Sequence, residues 1–407
     1  MSKKKIKLLS ISDCNDKTGI VTFIKIFRNL GLSGMLPGFQ LEIECYRNLP
    51  KTISQLVSPS VNTVKKSLQG PSMKNRIKEW LLNSMIGSFA LFLGIFCKRG
   101  LYVCVKAKLR GRSDIYFYHD FITAIFGQVF FSAEAKHILV LHSGADPLKQ
   151  LFIVFRGMRG TAIEATIRKY FGRVLLKQDL VVTLSEALAT ELRDQYSVTR
   201  IRCIYNTAEP LQFVEAERRS INGPLRLVAV GSLQYVKGFD LLIEAIALLE
   251  LRHRSQVELK IIGEGDERNN LEELVLKHGL SQNVILIGNS GDVPRFLSDA
   301  DLYILSSRDE GMPMAVLEAM QIGLPLISTR VGTLPEILDQ NACIFVEKSA
   351  EDIARVLKQV LAGDHDLAAM RCCSHRTFQE KLSQELFIER YLSAFDDALG
   401  EEKVLWR

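Results

Sequence analysis

Short apolar runs alternate with amphipathic segments along the whole chain. The runs KIKLLSIS (5–12), HILVLHS (137–143), LRLVAV (225–230) and VELKII (257–262) predict strands. Stretches of helical period follow them, as in VTFIKIFRNLGL after the first run. This alternation predicts βαβ units and parallel sheets, and therefore an α/β fold.

The most informative strand-to-helix junction lies within residues 301–336. The run DLYILS (301–306) predicts a buried strand that leads directly to Glu310. Ligands of open α/β sheets lie at the carboxyl ends of the strands, so we expect Glu310 beside a ligand. Glu318 follows about a turn and a half into the next helix. Two carboxylates placed in this way suit a ligand rich in hydroxyl groups.

The start of that helix is a second candidate binding feature. Pro313 suits the first helical turn, where its missing N–H is not needed. Together with the helix dipole, the neighbouring backbone N–H groups form an anion site at Gly311, Met312 and Met314. The helical phase directs Leu317 and Met320 toward the core.

These residues form an extended motif. The pattern S-x-x-E-G-M-P-x-x-x-L-E-A-M contains Glu310 and Glu318, and G-x-P-L-I-S-T and G-x-x-P-E-I follow it. The motif resembles the donor site of retaining glycosyltransferases with the GT-B fold, in glycosyltransferase family 4. The resemblance implies two Rossmann-like domains with parallel sheets facing a central cleft. It also implies that Glu310 contacts the transferred sugar and that Glu318 contacts the ribose hydroxyls.

A second loop of the C-terminal half carries a candidate cation. Lys237 and Gly238 lie between a strand ending at Gly231 and an amphipathic helix, where a lysine can neutralise a diphosphate. The family usually has an arginine where this chain has Ser232, so the leaving-group charge falls more heavily on Lys237. The resemblance implies that the nucleotide sugar contacts Gly19, Ser232, Lys237, Gly311, Met312, Pro313, Met314, Leu317 and Glu318.

The N-terminal half carries further candidates at the ends of predicted strands. Gly19 lies at a strand-to-helix turn, where bare backbone can approach a phosphate. The segment DIYFYHDFITAIFG (114–127) resembles the family's strand-His-Asp-helix segment, which implies that His119 reaches the donor sugar. His142 ends another strand. For each histidine, a purely structural role is the alternative.

The length of 407 residues predicts two domains. We expect an N-terminal acceptor-binding domain over 1–207 and a nucleotide-sugar-binding domain over 208–378. The resemblance implies that residues 379–407 form a helix that returns to the N-terminal domain.

Charge is unevenly distributed between the halves. Residues 1–210 contain 31 Lys and Arg against 15 Asp and Glu, a net of +16, and the remainder carries −10. Within 65–112, eleven basic residues accompany a single acidic one, Glu79. An anionic partner is expected for this half, and nucleic acid is not expected because no stacking module accompanies the charge.

The uncharged segment Trp80–Phe96 lies between these basic clusters. Its 17 residues fall just short of the roughly 20 that span a bilayer. An interfacial helix on an anionic membrane, a buried core helix and a true span are the three alternatives. The first would make 65–112 a membrane-binding region.

Other sequence features bear on the cellular compartment of the protein and on its need for a cofactor. The eight cysteines lack metal-ligand spacing and favour a reducing cytoplasm, and the N-terminal apolar run is too short for a signal peptide. No Asp-x-Asp metal motif is evident, so we expect neither a metal nor another cofactor. The expected location is cytoplasmic, peripheral on the inner face of the cytoplasmic membrane.

The predicted function follows from the resemblance. We expect a retaining glycosyltransferase that uses a nucleoside diphosphate sugar, preferably a UDP-sugar, with Glu310, His119 and Lys237 as catalytic residues. The acceptor would be a glycan or lipid-linked glycan in surface polysaccharide assembly. The alternatives are a nucleotide-sugar epimerase or phosphorylase of the same fold, or a non-catalytic binding protein derived from it.

Overall fold

A computed structural model of the protein describes residues 3–10, 19–32, 35–36, 38–45, 80–144, 146–211, 223–338 and 340–400. The chain divides into two compact units. The first comprises Met1–Tyr205 with Phe387–Arg407, and the second comprises Asn206–Leu386. The basic residues at 65–78 lie outside the described residues.

The first unit is built on a six-stranded parallel sheet in the order β2-β1-β3-β4-β5-β6. Its strands are β1 Lys4–Ser10, β2 Phe39–Cys45, β3 Ile115–Tyr118, β4 Lys136–Leu141, β5 Leu180–Thr183 and β6 Ile201–Cys203. Its α-helices are Gly19–Leu32, Met85–Phe92, Lys98–Leu109, Phe121–Phe130, Lys149–Val154, Ala162–Leu176 and Glu186–Tyr196. A π-helical turn spans Leu93–Cys97, and a 3-10 turn spans Arg156–Met158.

The second unit contains another six-stranded parallel sheet, in the order β12-β11-β10-β7-β8-β9. Its strands are β7 Leu225–Val230, β8 Val257–Ile262, β9 Val284–Gly288, β10 Leu302–Leu305, β11 Leu326–Thr329 and β12 Cys343–Val346. Its α-helices are Phe239–Ala247, Leu251–Arg254, Arg268–Lys277, Val293–Asp299, Met314–Gln321, Leu334–Ile337, Ala350–Ala362 and Leu367–Leu382, with a 3-10 turn at Tyr235–Lys237. The helix Gln384–Leu399 ends the described chain.

The predicted α/β class with parallel sheets is confirmed. Strand β8 has the bounds that its apolar run predicts, and β10 occupies four residues of DLYILS. All four β10 side chains are buried, because helices cover both faces of a parallel sheet. Strands β2 and β12 were not predicted from the sequence.

The β2 strand was missed because it carries acidic residues. Glu44 is almost fully buried, and its carboxylate pairs with Lys106 at 3.2 Å and Arg110 at 2.6 Å. On the same strand, Glu42 pairs with Lys7, which is also fully buried. Burial of these charges depends on partners remote in sequence. Two residues of the basic cluster within 65–112 therefore neutralise an internal carboxylate.

The uncharged segment Trp80–Phe96 does not form one continuous α-helix. Ser84 accepts a hydrogen bond from the Gly87 N–H and begins the helix Met85–Phe92. Helical structure continues through Leu93–Cys97 into Lys98–Leu109. Among the described residues, no helix combines the length and hydropathy required to cross a membrane.

The last helix contributes to the core of the first unit. Tyr391 is fully buried and its ring contacts Phe23, Phe27 and Phe117 at centroid distances of 5.8, 5.0 and 5.7 Å. The domain limits 1–207, 208–378 and 379–407 stay predictions. Cys45 is disulfide-bonded, whereas the cysteine pattern of the sequence favoured a reducing compartment. Free thiols are found at Cys97, Cys104, Cys203, Cys343, Cys372 and Cys373.

Candidate functional site

The sheet of the second unit has one position where its strand order reverses. Strands β7 and β10 are neighbours there, and the chain runs outward from them in both directions. At such a switch point, the loops after the two strands diverge and leave a crevice at their carboxyl ends. The loop after β7 contains Lys237, and the loop after β10 contains Glu310. The topology therefore brings the two predicted residues to the same sheet edge.

Lys237 and Glu310 form an ion pair at this edge. The Lys237 Nζ donates to Glu310 Oε1 at 2.6 Å, and the Ser307 hydroxyl donates to the same oxygen at 2.8 Å. The two side chains are 23% and 10% exposed, so the pair is partly shielded but open to a ligand. Since one carboxylate oxygen takes both bonds, Oε2 is available for a further donor such as a sugar hydroxyl.

Backbone contacts hold the two loops together. The Arg308 N–H donates to the Val236 carbonyl at 2.7 Å, and the Ser306 hydroxyl donates to the Lys237 carbonyl at 3.2 Å. Gly238 has a φ of 64°, and a Cβ at this position would collide with the Ser306 carbonyl oxygen. Glycine is required for this approach, which fixes the backbone that carries Lys237.

The loop after β8 packs against the loop after β7 in a similar way. Gly263 has a φ of 149°, and an added Cβ would collide with the Gly231 carbonyl oxygen. The Leu233 N–H donates to the Glu264 carbonyl at 2.9 Å. The G-x-G segment at Gly263 and Gly265 therefore shapes the loop that leads to Lys237.

The helix of the donor motif begins one residue later than expected. Pro313 precedes the helix Met314–Gln321, and no side chain caps that helix start. The first N–H groups of the helix are therefore available to an anion or a hydroxyl. The backbone at Gly311 is fixed by a hydrogen bond, because its carbonyl accepts from the Thr333 N–H at 3.0 Å.

Apolar members of the motif lie in the core. Met312, Pro313 and Leu317 are buried, and Leu317 is fully so, which leaves its side chain no surface for a ligand. Met314 is partly exposed, and its sulfur accepts a hydrogen bond from Asn206 Nδ2 at 3.7 Å. Any direct contact of a donor with Leu317 would therefore involve its backbone.

Glu318 lies in an environment unlike that of Glu310. Burial, and then the charge of Glu209, raises the pKa of Glu318 to about 7. Burial, and then the charges of Glu310 and Glu318, also raises the pKa of Tyr303. Tyr303 is fully buried on β10, and its hydroxyl donates to the Val230 carbonyl at 3.4 Å. It lies within electrostatic reach of both glutamates.

Ser232 is partly buried in the loop after β7. Two arginines of this unit, Arg308 in the loop after β10 and Arg268 at the start of the helix Arg268–Lys277, are bound to other carboxylates. Arg308 forms bidentate bonds to Asp240 at 2.7 and 2.6 Å, and Arg268 donates to Glu264 at 2.5 Å. Lys237 is therefore the cation that faces Glu310, and the two arginines chiefly brace the loops.

The first unit brings the two candidate histidines together. His119 directly follows β3, next to β1, and its backbone N–H donates to the Leu9 carbonyl at 3.0 Å. Its Nδ1 is 2.8 Å from His142 Nε2, and the ring packs against Phe23 and Phe117. Burial lowers the pKa of His142 to about 3, and burial and then His142 lower the pKa of His119. Both rings are therefore neutral, so one donates to the other.

One ring nitrogen of this histidine pair lacks a hydrogen-bond partner among the described residues. His119 Nε2 is buried and has no hydrogen-bond partner within the described part of the chain. His142, which follows β4, orients the ring of His119 through this contact, whereas the sequence had left only a ligand role or a structural role open for it. Gly19 begins the helix Gly19–Leu32, and residues 11–18, which precede it, lie outside the described residues.

Three residues of the second unit were not singled out from the sequence. Ser307 binds Glu310, Tyr303 lies near both glutamates, and Gly332 has a φ of 53° that lets it approach Gly311. Ser307 and Gly332 occur in the quoted motifs, so a signal for them was present. For Tyr303, the sequence carried no signal beyond its place in an apolar strand. Within the described ranges, no three His, Cys, Asp or Glu side chains group as metal ligands do.

Comparison with known proteins agrees with this architecture. Residues 213–372 match the family model described as glycosyl transferases group 1. The chain is similar to the amylovoran biosynthesis glycosyltransferase AmsK of Erwinia amylovora, with 26% identity over 54% of this chain and 56% of the relative. It is also similar to the lipopolysaccharide core biosynthesis glycosyltransferase LpsE of Rhizobium meliloti (strain 1021), with 29% identity over 53% of this chain and 63% of the relative. The matches thus span between about half and two thirds of these relatives.

A solved structure extends the similarity over nearly the whole chain. The Anabaena protein Alr3699/HepE in complex with UDP aligns with a TM-score of 0.65 and 14% identity, covering 97% of this chain and 100% of that one. The similarity is one of fold. The predicted GT-B fold is confirmed, and the matches together support a glycosyltransferase.

Proposed function

We propose that the protein is a retaining glycosyltransferase that moves a sugar from a nucleoside diphosphate sugar to a glycan or lipid-linked glycan. The group 1 match over 213–372 supports the reaction class. The names of AmsK and LpsE favour a role in surface polysaccharide assembly. A UDP-sugar is the favoured donor, since the fold neighbour from Anabaena binds UDP.

The observation that carries the proposal is the Lys237–Glu310 pair at the β7–β10 switch point. In the proposed reaction, Lys237 stabilises the charge that develops on the departing diphosphate. Glu310 positions this ammonium by accepting its hydrogen bond through Oε1. Its Oε2 accepts a hydrogen bond from a sugar hydroxyl. The uncapped start of Met314–Gln321 donates N–H groups to the same ligand.

The proposed transfer takes place on one face of the sugar. The bond between the anomeric carbon and the diphosphate oxygen breaks, and the acceptor oxygen forms its bond on that same face. A phosphate oxygen of the leaving group takes the acceptor's proton. A glycoside hydrolase would instead need two carboxyl groups that flank the scissile bond. Glu310 is shielded by Lys237, and Glu318 is assigned to the ribose hydroxyls.

His119 and Gly19 are retained in the proposal with the roles that the resemblance implies. The unpartnered His119 Nε2 supports a hydrogen bond to the transferred sugar, because a buried ring nitrogen gains from any partner. The proposed reaction uses no metal, since Lys237 and backbone N–H groups supply the positive charge. Transfer should accordingly persist in the presence of a chelator.

The test is to measure transfer and donor binding in Lys237→Met and Glu310→Gln with UDP-sugars. We expect kcat to fall about 100-fold or more in each variant. The matched control is Lys260→Met, because Lys260 pairs with Glu258 at 3.0 Å and is comparably exposed, but lies within β8 and not in the loops after β7 and β10. Wild-type rates in Lys237→Met would contradict the leaving-group role.

The products distinguish the alternatives. Retention at the anomeric carbon of a glycan product, seen by NMR, supports the proposal. Conversion of the donor sugar without an acceptor would indicate an epimerase, and a sugar phosphate product would indicate a phosphorylase. Donor binding without turnover on any acceptor would indicate a non-catalytic protein.

A further inference from the structure

The helix Lys98–Leu109 has apolar residues on two faces. One face packs into the first unit and consists of Gly100, Val103, Cys104 and Ala107. An added Cβ at Gly100 would collide with Ile122 and Phe126 of the helix Phe121–Phe130, so the two helices are in close contact. This contact fixes the rotation of Lys98–Leu109 about its axis and leaves the opposite face uncovered.

The uncovered face is also apolar. Six of its residues line a single surface pocket of about 390 Å³ and are here called the exposed face: Lys98, Leu101, Tyr102, Val105, Lys106 and Leu109. Leu109 is 83% exposed and Tyr102 is 46% exposed. Leaving such side chains in water costs free energy that a partner surface would recover.

Exposed apolar side chains are concentrated in this part of the chain. Of the 18 large hydrophobic side chains exposed in the described residues, eight lie between Trp80 and Leu109. An ordinary surface would scatter them, so their concentration indicates an interaction site.

The charged residues of the segment that carries the exposed face are all basic. Residues 80–112 contain six Lys and Arg and no acidic residue. Lys106 and Arg110 pair with the buried Glu44, while Lys98 lies at the start of the helix and lines the pocket. The face thus combines apolar side chains with lysines at its edge, which is the composition of interfacial helices on anionic membranes.

We propose that the exposed face binds the surface of an anionic lipid bilayer. Leu101, Val105 and Leu109 enter the boundary between headgroups and acyl chains, and Lys98 contacts lipid phosphates. The inference rests on the proposed function, in which it brings the enzyme to a lipid-linked acceptor. A second copy of the chain is a poorer occupant, because two such faces would bring the same positive charges together.

The experiment is flotation with vesicles of phosphatidylcholine alone or of two parts phosphatidylcholine to one part phosphatidylglycerol. We expect the wild type to bind only the anionic vesicles and to be released by high salt. The variant Leu101→Ser, Val105→Ser, Leu109→Ser should bind at least about tenfold more weakly. The control is Leu251→Ser with Leu276→Ser, which removes two exposed leucines from the second unit.

Donor binding separates this inference from the proposed function. Calorimetry with UDP should give the same affinity for the wild type and the triple serine variant, because the substitutions lie outside the second unit. Equal flotation of the two proteins, or no flotation at all, would overturn the membrane inference. A wild-type dimer that the triple variant dissociates would also overturn it, in favour of a second copy. Failure of the wild type to bind any nucleotide sugar would count against the proposed function alone.

Discussion

At the level of single residues, the two motif glutamates differ in their partners. Glu310 accepts hydrogen bonds from Lys237 and Ser307. No cation pairs with Glu318 in the part of the chain that the structure describes, and burial followed by the charge of Glu209 raises its pKa to about 7. A carboxyl group that titrates near neutrality makes donor binding depend on pH, because only the ionised form accepts hydrogen bonds through both oxygens.

We predict that UDP affinity rises as the pH increases from 6 to 8 and that Glu318→Gln removes most of this dependence. The ionised carboxylate binds the ribose hydroxyls, so affinity increases as Glu318 loses its proton. Calorimetry at several pH values measures the UDP affinity. The control is Glu351→Gln, since Glu351 is exposed. An unchanged pH profile in Glu318→Gln would refute the ribose role.

The same pKa shift affects the ligand-free protein. The folded-state pKa of Glu318 is raised above its usual value of 4.5. The resulting contribution to stability is fully present below pH 4.5 and is lost as the pH rises through about 7. Denaturation curves of the ligand-free wild type and of Glu318→Gln should therefore diverge as the pH increases, with Glu318→Gln relatively more stable at pH 8.

At the level of elements, glycines set the shape of the second unit's loops. Gly238, Gly263 and Gly332 have positive φ values, and each lies where a side chain would collide with a carbonyl oxygen of a neighbouring loop. These loops carry Lys237, Gly231 and Gly311. The close approach of backbone to backbone therefore supports the ion pair at the switch point.

We predict that Gly263→Ala lowers the free energy of unfolding by about 2 kcal/mol and weakens UDP binding. The added methyl group strains the backbone and displaces the Gly231 carbonyl. Urea denaturation and calorimetry measure the two effects. Gly291→Ala is the matched control, since an added Cβ there meets no atom within 4 Å. Equal stability of the two alanine variants would contradict the steric argument.

At the level of the whole molecule, the first unit is completed by the last part of the described chain. The buried Tyr391 packs among aromatic rings from the helix Gly19–Leu32 and from β3. Its neighbours Phe387 and Phe395 contribute further rings to the same cluster. Stability of the N-terminal sheet therefore depends on residues more than 360 positions away from Phe23.

We predict that Tyr391→Ala destabilises the first unit by about 3–5 kcal/mol, because it leaves a cavity in an aromatic core. Hydrogen exchange measured by mass spectrometry should show loss of protection in β1 and β3, with β7 and β10 unaffected. The control is Leu276→Ala, which shortens a side chain that is 70% exposed in the second unit. Uniform loss of protection in both units would contradict the assignment of Tyr391 to the core of the first unit.

The sequence by itself determined most strands and the residues of the donor motif. Apolar runs such as DLYILS are local patterns, and burial on both faces of a sheet requires them wherever the strand lies. Glu310, Gly311 and Pro313 lie in the loop that follows their strand, so their position at a sheet edge could be predicted. Strand β2 could not, because the burial of Glu44 depends on Lys106 and Arg110.

Only the tertiary structure decided which side chains meet. Lys237 and Glu310 are 73 residues apart, and they pair because the strand order makes β7 and β10 neighbours. His119 and His142 become hydrogen-bonded for the same reason in the first sheet, where β3 lies beside β4. The pKa of Glu318 likewise depends on burial and on Glu209. Periodicity records how a segment is buried, whereas pairing and electrostatics depend on the neighbours that the fold supplies.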